Sequence, residues 1–127
     1  MERWIMLVFV IALIGWRSLA VTIPVTSISS DQLQTMMESA SDFVLIDVRE
    51  PIEYQKGTIP GAILIPLQEI ATTEQLANLA KDKKIVVMCH SGARSARAQR
   101  QLLDMGYTSV INLDGGIIAW KGPIVTQ

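Results

Sequence analysis

Residues 89–94 read Cys89-His90-Ser91-Gly92-Ala93-Arg94, which sets a thiol, an imidazole, a hydroxyl and a guanidinium in one short run. Cys89 and His90 are the only cysteine and the only histidine among 127 residues. A single cysteine excludes an intramolecular disulfide framework, and with a single histidine it leaves too few soft ligands for a closed zinc site. No metal is expected from this inventory. Cys89 is then either a small buried hydrophobe or a nucleophile.

The flanking sequence favours chemistry. Lys84-Ile85-Val86-Val87-Met88 is short, apolar and β-branched, which predicts a strand buried on both faces. After Arg94, the positions of Ala96, Leu102 and Met105 predict a helix, with Arg97 and Arg100 toward solvent and Gly106 as its C-terminal cap. Cys89 is thus the first residue beyond a strand and just ahead of a helix, the place where ligands bind in open α/β sheets. Loop N–H groups can converge on one point there, and the helix N-terminus adds about half a positive charge.

Such a cradle draws a thiol below its free pKa of about 8.5, so Cys89 is the candidate nucleophile. The same cradle would hold a persulfide, whose terminal sulfur is also an anion at neutral pH. His90, Ser91, Gly92, Ala93 and Arg94 are the candidate substrate-binding residues. Arg94, with its fixed fork of donors, suits both a sulfur oxyanion and a scaffold carboxylate, and a mixed role is expected.

The elements that must position this loop follow from patterning. Val21 to Ser30, with Pro24 inside, suggests a linker running into a short edge strand. Ser30 or Asp31 can cap a helix carrying Leu33, Met36 and Met37 and ending near Ala40. Phe43-Val44-Leu45-Ile46 predicts a second strand buried on both faces, and Ile63-Leu64-Ile65 a third strand after the turn at 57–62. Leu67 to Leu79 reads as an amphipathic helix, and Ser109-Val110-Ile111 as a further strand. This alternation predicts an α/β domain over residues 23–127, with a mostly parallel sheet and helices on both faces.

The first 22 residues need a separate account. Trp4 through Trp16 is an uncharged apolar run, shorter than the roughly 20 residues that cross a bilayer. Ser18-Leu19-Ala20 offers a cleavage site, which makes residues 1–22 a signal peptide. Alternatively Arg17 snorkels and residues 4–23 form an uncleaved membrane anchor, with Trp4 and Trp16 at the interfaces. Either places the domain in the cell envelope, with the extracytoplasmic side favoured. Over the whole chain 11 Lys and Arg against 12 Asp and Glu leave no basic block for nucleic acid.

From about Thr26 to Lys121 the chain resembles the rhodanese homology domain. Asp47-Val48-Arg49-Glu50, Glu53-Tyr54 and Gly57-Thr58-Ile59-Pro60-Gly61-Ala62 are similar to its first signature, and Leu113-Asp114-Gly115-Gly116-Ile117-Ile118-Ala119-Trp120 to its closing one. The resemblance implies transfer of sulfane sulfur from a donor such as thiosulfate to Cys89, then from the persulfide to cyanide or a thiol, with no cofactor. It implies that the main chain from His90 to Arg94 cradles the sulfur, that Arg49 faces the site mouth and that Asp47 braces the loop. Thr58 stands where the family often has histidine, and local hydrogen bonding is expected of it. Turn formation accounts for Gly57, Gly61, Gly115 and Gly116.

Two other readings bear on the loop. Dual-specificity and tyrosine phosphatases place five residues between cysteine and arginine, which would put arginine at position 95, here Ser95. The cradle is therefore expected to be too small for phosphate, and phosphatase or arsenate reductase activity is disfavoured. A persulfide carrier or sensing module without turnover would keep Cys89 and use the same cradle.

Overall fold

A computed structural model of the chain describes residues 26–127. The segment expected to be a signal peptide or anchor, residues 1–22, lies outside them. Among the described residues no helix is long and apolar enough to cross a membrane.

The strands are β1 (Thr26–Ile28), β2 (Val44–Asp47), β3 (Ile63–Leu64), β4 (Ile85–Met88) and β5 (Val110–Leu113), and the helices are α1 (Ser30–Glu38), α2 (Pro51–Lys56) and α3 (Ala93–Asp104). The strands form one sheet in the order β1-β5-β4-β2-β3. Every pairing is parallel, as expected of an α/β domain.

β4 lies at the centre because it has no polar face: all four of its side chains are buried. Side chains alternate across a strand, so Ile85, Val87 and Cys89 pack with Ala98 and Leu102 of α3. Val86 and Met88 take the other face with Leu33 of α1 and Trp120. The parity that buries Ile85 and Val87 under α3 therefore aims Cys89 at the same helix. From the β2–β4 pair the chain moves outward in opposite directions, to β3 and to β5, and Cys89 sits at the carboxyl end of that switch point.

α1 starts one residue before the expected caps. Ser29 and Gln32 form a reciprocal box, with Gln32 N–H donating to Ser29 Oγ at 3.2 Å and Ser29 N–H to Gln32 Oε1 at 2.8 Å. Ser30 is instead buried, its hydroxyl accepting from Lys121 N–H at 2.9 Å. α3 ends as expected at Gly106, whose φ of 100° lets its N–H reach the Leu103 carbonyl while Tyr107 N–H reaches that of Leu102.

The helix expected over 67–79 is not formed. A single 3-10 turn, Leu67–Glu69, is followed by separate turns that still bury Ile70 and Leu76. Ile70, Thr72 and Thr73 are β-branched, and the Thr73 hydroxyl accepts from Gln75 N–H at 3.2 Å, which offers the backbone an alternative to the helical ladder. Conversely α2 was not foreseen. Pro51 at its first position and a capping box between Glu50 and Glu53 specify it.

Candidate active site

Cys89 is 1% exposed and is a free thiol. Gly92 N–H donates to its Sγ at 3.1 Å, and the Ser95 hydroxyl lies 3.3 Å from the same atom. Gly92 makes this turn possible: its φ of 106° is left-handed backbone, which folds the chain back over the sulfur before α3 begins. Burial pushes the Cys89 thiol up. The Ser95 hydroxyl and the N–H groups of Ser95, Gly92 and Ser91 outweigh that penalty and bring it below the ordinary cysteine value. His90, Ser91 and Ala93 of the same loop are exposed.

The two arginines take different parts. Arg94 forks onto Glu53 of α2 with both bonds at 2.8 Å, which makes a scaffold carboxylate the partner the structure supplies. The Arg94 hydrogen bonds hold the Glu53 carboxyl at about 2, against 4.5 for an ordinary glutamate. Arg49 does not face the mouth of the site. It is 5% exposed and is spent inside the scaffold, on Asp47 Oδ2 at 2.8 Å and the Gly57 carbonyl at 2.6 Å.

The reason is local. Asp47 and Arg49 lie two residues apart at the end of β2, on one side of the chain, so the guanidinium folds back onto a carboxylate that is 0% exposed and needs a partner. Asp47 also accepts from the Arg49 N–H at 3.0 Å and from the Thr58 hydroxyl at 2.9 Å. The bonds of the Asp47 side chain thus run to Arg49 and to the turn at Gly57–Thr58, not to the cysteine loop it was expected to brace, and Thr58 supplies one of them.

The closing signature docks on the cysteine loop. Ile117 N–H donates to the Cys89 carbonyl at 2.8 Å and Ile118 N–H to the His90 carbonyl at 3.2 Å. Turn formation is only part of the role of Gly116, because a Cβ there would stand 2.4 Å from the His90 oxygen and 2.6 Å from the Cys89 oxygen. From β5, Asn112 Nδ2 donates to the Gly92 carbonyl at 3.2 Å.

Three participants were missed in sequence: Ser95, Asn112 and the close approach at Gly116. Ser95 carried a readable signal. A first-turn helical serine six residues after the cysteine is placed to point back into the loop.

Fold and loop define an α/β domain with a single cysteine, ringed by hydrogen-bond donors, at the carboxyl end of its central strand. The model of the Rhodanese-like domain matches residues 29–123, and the chain belongs to that family. It is 40% identical over 76% of its length, and 88% of the other's, to a sulfurtransferase of Allochromatium vinosum. It is 38% identical to a putative sulfurtransferase of Bacillus subtilis, over 77% of this chain and 92% of that one. A probable adenylyltransferase/sulfurtransferase of Mycobacterium tuberculosis is 38% identical over 75% of this chain, which spans 24% of that longer protein.

Among solved structures, a rhodanese-like domain protein from Staphylococcus aureus superposes with a TM-score of 0.72 at 29% identity, over 80% of this chain and 98% of that one. A rhodanese with anions from E. coli gives 0.60 at 38% identity, over 66% and 98%. Family and relatives support sulfur transfer as the general activity.

Proposed function

We propose that the chain is a thiosulfate-type sulfurtransferase that carries sulfane sulfur on Cys89. The observation that carries this reading is the convergence of the Gly92 N–H and the Ser95 hydroxyl on Cys89 Sγ, at 3.1 and 3.3 Å. The Cys89 thiolate attacks the outer sulfur of thiosulfate. The new S–S bond forms as the old one breaks, and sulfite leaves with the electron pair. Cyanide or a thiolate then attacks the outer sulfur of the persulfide, giving thiocyanate or a new persulfide and returning the Cys89 thiolate.

Both steps are two-electron displacements that balance with no outside oxidant or reductant. The N–H groups that favour the thiolate equally favour the anionic end of the persulfide. Four residues between Cys89 and Arg94 keep this ring smaller than a phosphatase loop, which supports sulfur over phosphate. The exposed His90, Ser91 and Ala93 are the surfaces an incoming donor or acceptor meets. Residues 1–22 would hold this chemistry in the cell envelope, as a cleaved signal or an anchor; intact mass and alkaline extraction from the native host separate the two.

The test is mass spectrometry of the protein after incubation with thiosulfate. One added sulfur on Cys89 is expected, and Cys89→Ser is expected to stay unmodified while folded. An unmodified Cys89 in a protein that hydrolyses aryl phosphates would overturn the reading. A protein that loads sulfur but shows no turnover with cyanide or thiols would be a persulfide carrier, the reading suggested by 37% identity to a putative sulfur carrier protein of Bacillus subtilis.

A further inference from the structure

Three donors meet at the carbonyl of Gly92. Ala96 N–H reaches it at 3.1 Å as the first helical bond of α3. Asn112 Nδ2 reaches it at 3.2 Å from β5, and the Ser95 hydroxyl at 3.1 Å. The same Ser95 oxygen lies 3.3 Å from Cys89 Sγ.

A hydroxyl has one hydrogen, so Ser95 serves either the carbonyl or the sulfur. The carbonyl has two lone pairs, and Ala96 and Asn112 between them can fill both. With its acceptor capacity taken, the Gly92 carbonyl competes weakly for the third donor. The hydroxyl hydrogen is then available to the sulfur, which is the group of the pair that carries charge as a thiolate.

Asn112 is costly where it stands, which argues for a task. Asparagine is depleted in strands. Its Oδ1 is buried with no hydrogen-bond partner among the described residues, so the side chain leaves an acceptor unsatisfied while making a single bond to Gly92. The orientation of the amide is set by chemistry, since a carbonyl oxygen accepts only from the NH2 end. Gly92 in turn is the residue whose N–H holds the sulfur at 3.1 Å, so Asn112 fixes one end of the peptide unit that follows that donor.

We propose that Asn112 is a positioning residue of the sulfur site: by occupying the Gly92 carbonyl from β5 it releases the Ser95 hydroxyl hydrogen to Cys89 Sγ. The proposal rests on the reading of Cys89 as a thiolate nucleophile. It assigns Asn112 no contact with substrate.

The experiment is the pH profile of Cys89 alkylation by iodoacetamide in the full chain, where the single cysteine makes labelling unambiguous. Ser95→Ala is expected to raise the midpoint by about one pH unit, the loss of a hydrogen bond to a charged acceptor. Asn112→Leu is expected to raise it in the same direction, and the double variant to lie no higher than Ser95→Ala alone. The titratable and charged groups of the neighbouring elements are Arg94 on α3 with Glu53 from α2, the adjacent His90, and Asp47 with Arg49 at the end of β2. None is altered in these variants.

A folded Asn112→Leu protein with the wild-type midpoint overturns the proposal, as do additive shifts in the double variant. A merely structural role would lower thermal stability and leave the midpoint where it was. Should leucine disrupt the strand, Asn112→Ala removes the donor without added bulk and carries the same two outcomes. Alkylation reads the thiolate directly. An unmoved midpoint in a protein that takes up sulfur from thiosulfate therefore overturns this proposal alone, whereas failure to take up sulfur overturns the proposed function alone.

Discussion

Replacing Gly116 by alanine tests how tightly the closing turn is locked to the cysteine loop. The added Cβ would lie 2.4 Å from the His90 oxygen, 2.5 Å from the His90 carbonyl carbon and 2.6 Å from the Cys89 oxygen. All three are backbone atoms and cannot rotate away, so the turn must lift. Lifting it breaks the Ile117 and Ile118 N–H bonds to those two carbonyls, each worth about 1 kcal/mol. Gly116 also has φ 61° and ψ −157°, a region essentially reserved for glycine, where a side chain costs about 1–3 kcal/mol.

The expected loss is about 3–5 kcal/mol, a large share of the 5–15 kcal/mol typical of a domain. Gly61→Ala is the control. It shares a positive φ, 83°, but has nothing within 4 Å of its Cβ position, so only backbone strain of about 1–2 kcal/mol applies. Urea unfolding at constant slope compares the two. A Gly116→Ala loss no greater than that of Gly61→Ala would refute the steric reasoning.

Other outcomes follow from the same geometry. Asp47→Asn leaves the Arg49 guanidinium buried without its carboxylate and is expected to cost about 3–5 kcal/mol by urea unfolding; a loss below 1 kcal/mol would show that the Gly57 carbonyl suffices. Because the Glu53 carboxyl is lowered from 4.5 to about 2, its contribution is fully present above pH 4.5 and fades as pH falls toward 2. With both partners about one-third exposed, the Glu53→Gln difference is expected to stay within about 1 kcal/mol, and a difference constant down to pH 2 would contradict it. The Cys89 thiol, lowered overall, is expected to alkylate with a midpoint below that of a free cysteine. As an acid with a depressed folded value, it adds stability above the unfolded pKa and loses it as pH falls through the folded one. Leu102→Ala on the buried stripe of α3 is expected to cost about 2–5 kcal/mol in thermal or urea unfolding, and a smaller loss would show that the site collapses around the gap.

The sheet was legible because burial on both faces leaves a plain signature. The runs around Leu45, Ile46 and Ile85–Met88 carry no polar alternation, and both are central strands. The position of Cys89 followed from the strand that ends before it. Side-chain partners were less legible. The Arg49 guanidinium could as well have met solvent at the site as a carboxylate two residues back, and only the depth of Asp47 decides between them. The stretch 67–79 has apolar spacing that a helix and a series of single turns both satisfy, with Ile70 and Leu76 buried either way. Asn112 and Gly116 act on the loop from distant segments, and no local pattern announces a contact across the sheet.

The order of the strands has a consequence for how the molecule comes into being. β1 pairs with β5 alone, Thr26 opposite Ile111, so the first strand made waits for the last. Contacts of such wide separation in sequence slow folding. The loop of Cys89 is held by Asn112 and by the turn at Gly116, both synthesised after it. On a growing chain the loop of Cys89 therefore lacks these two supports until β5 joins the sheet. Bracing of the cysteine loop and completion of the sheet are then a single event.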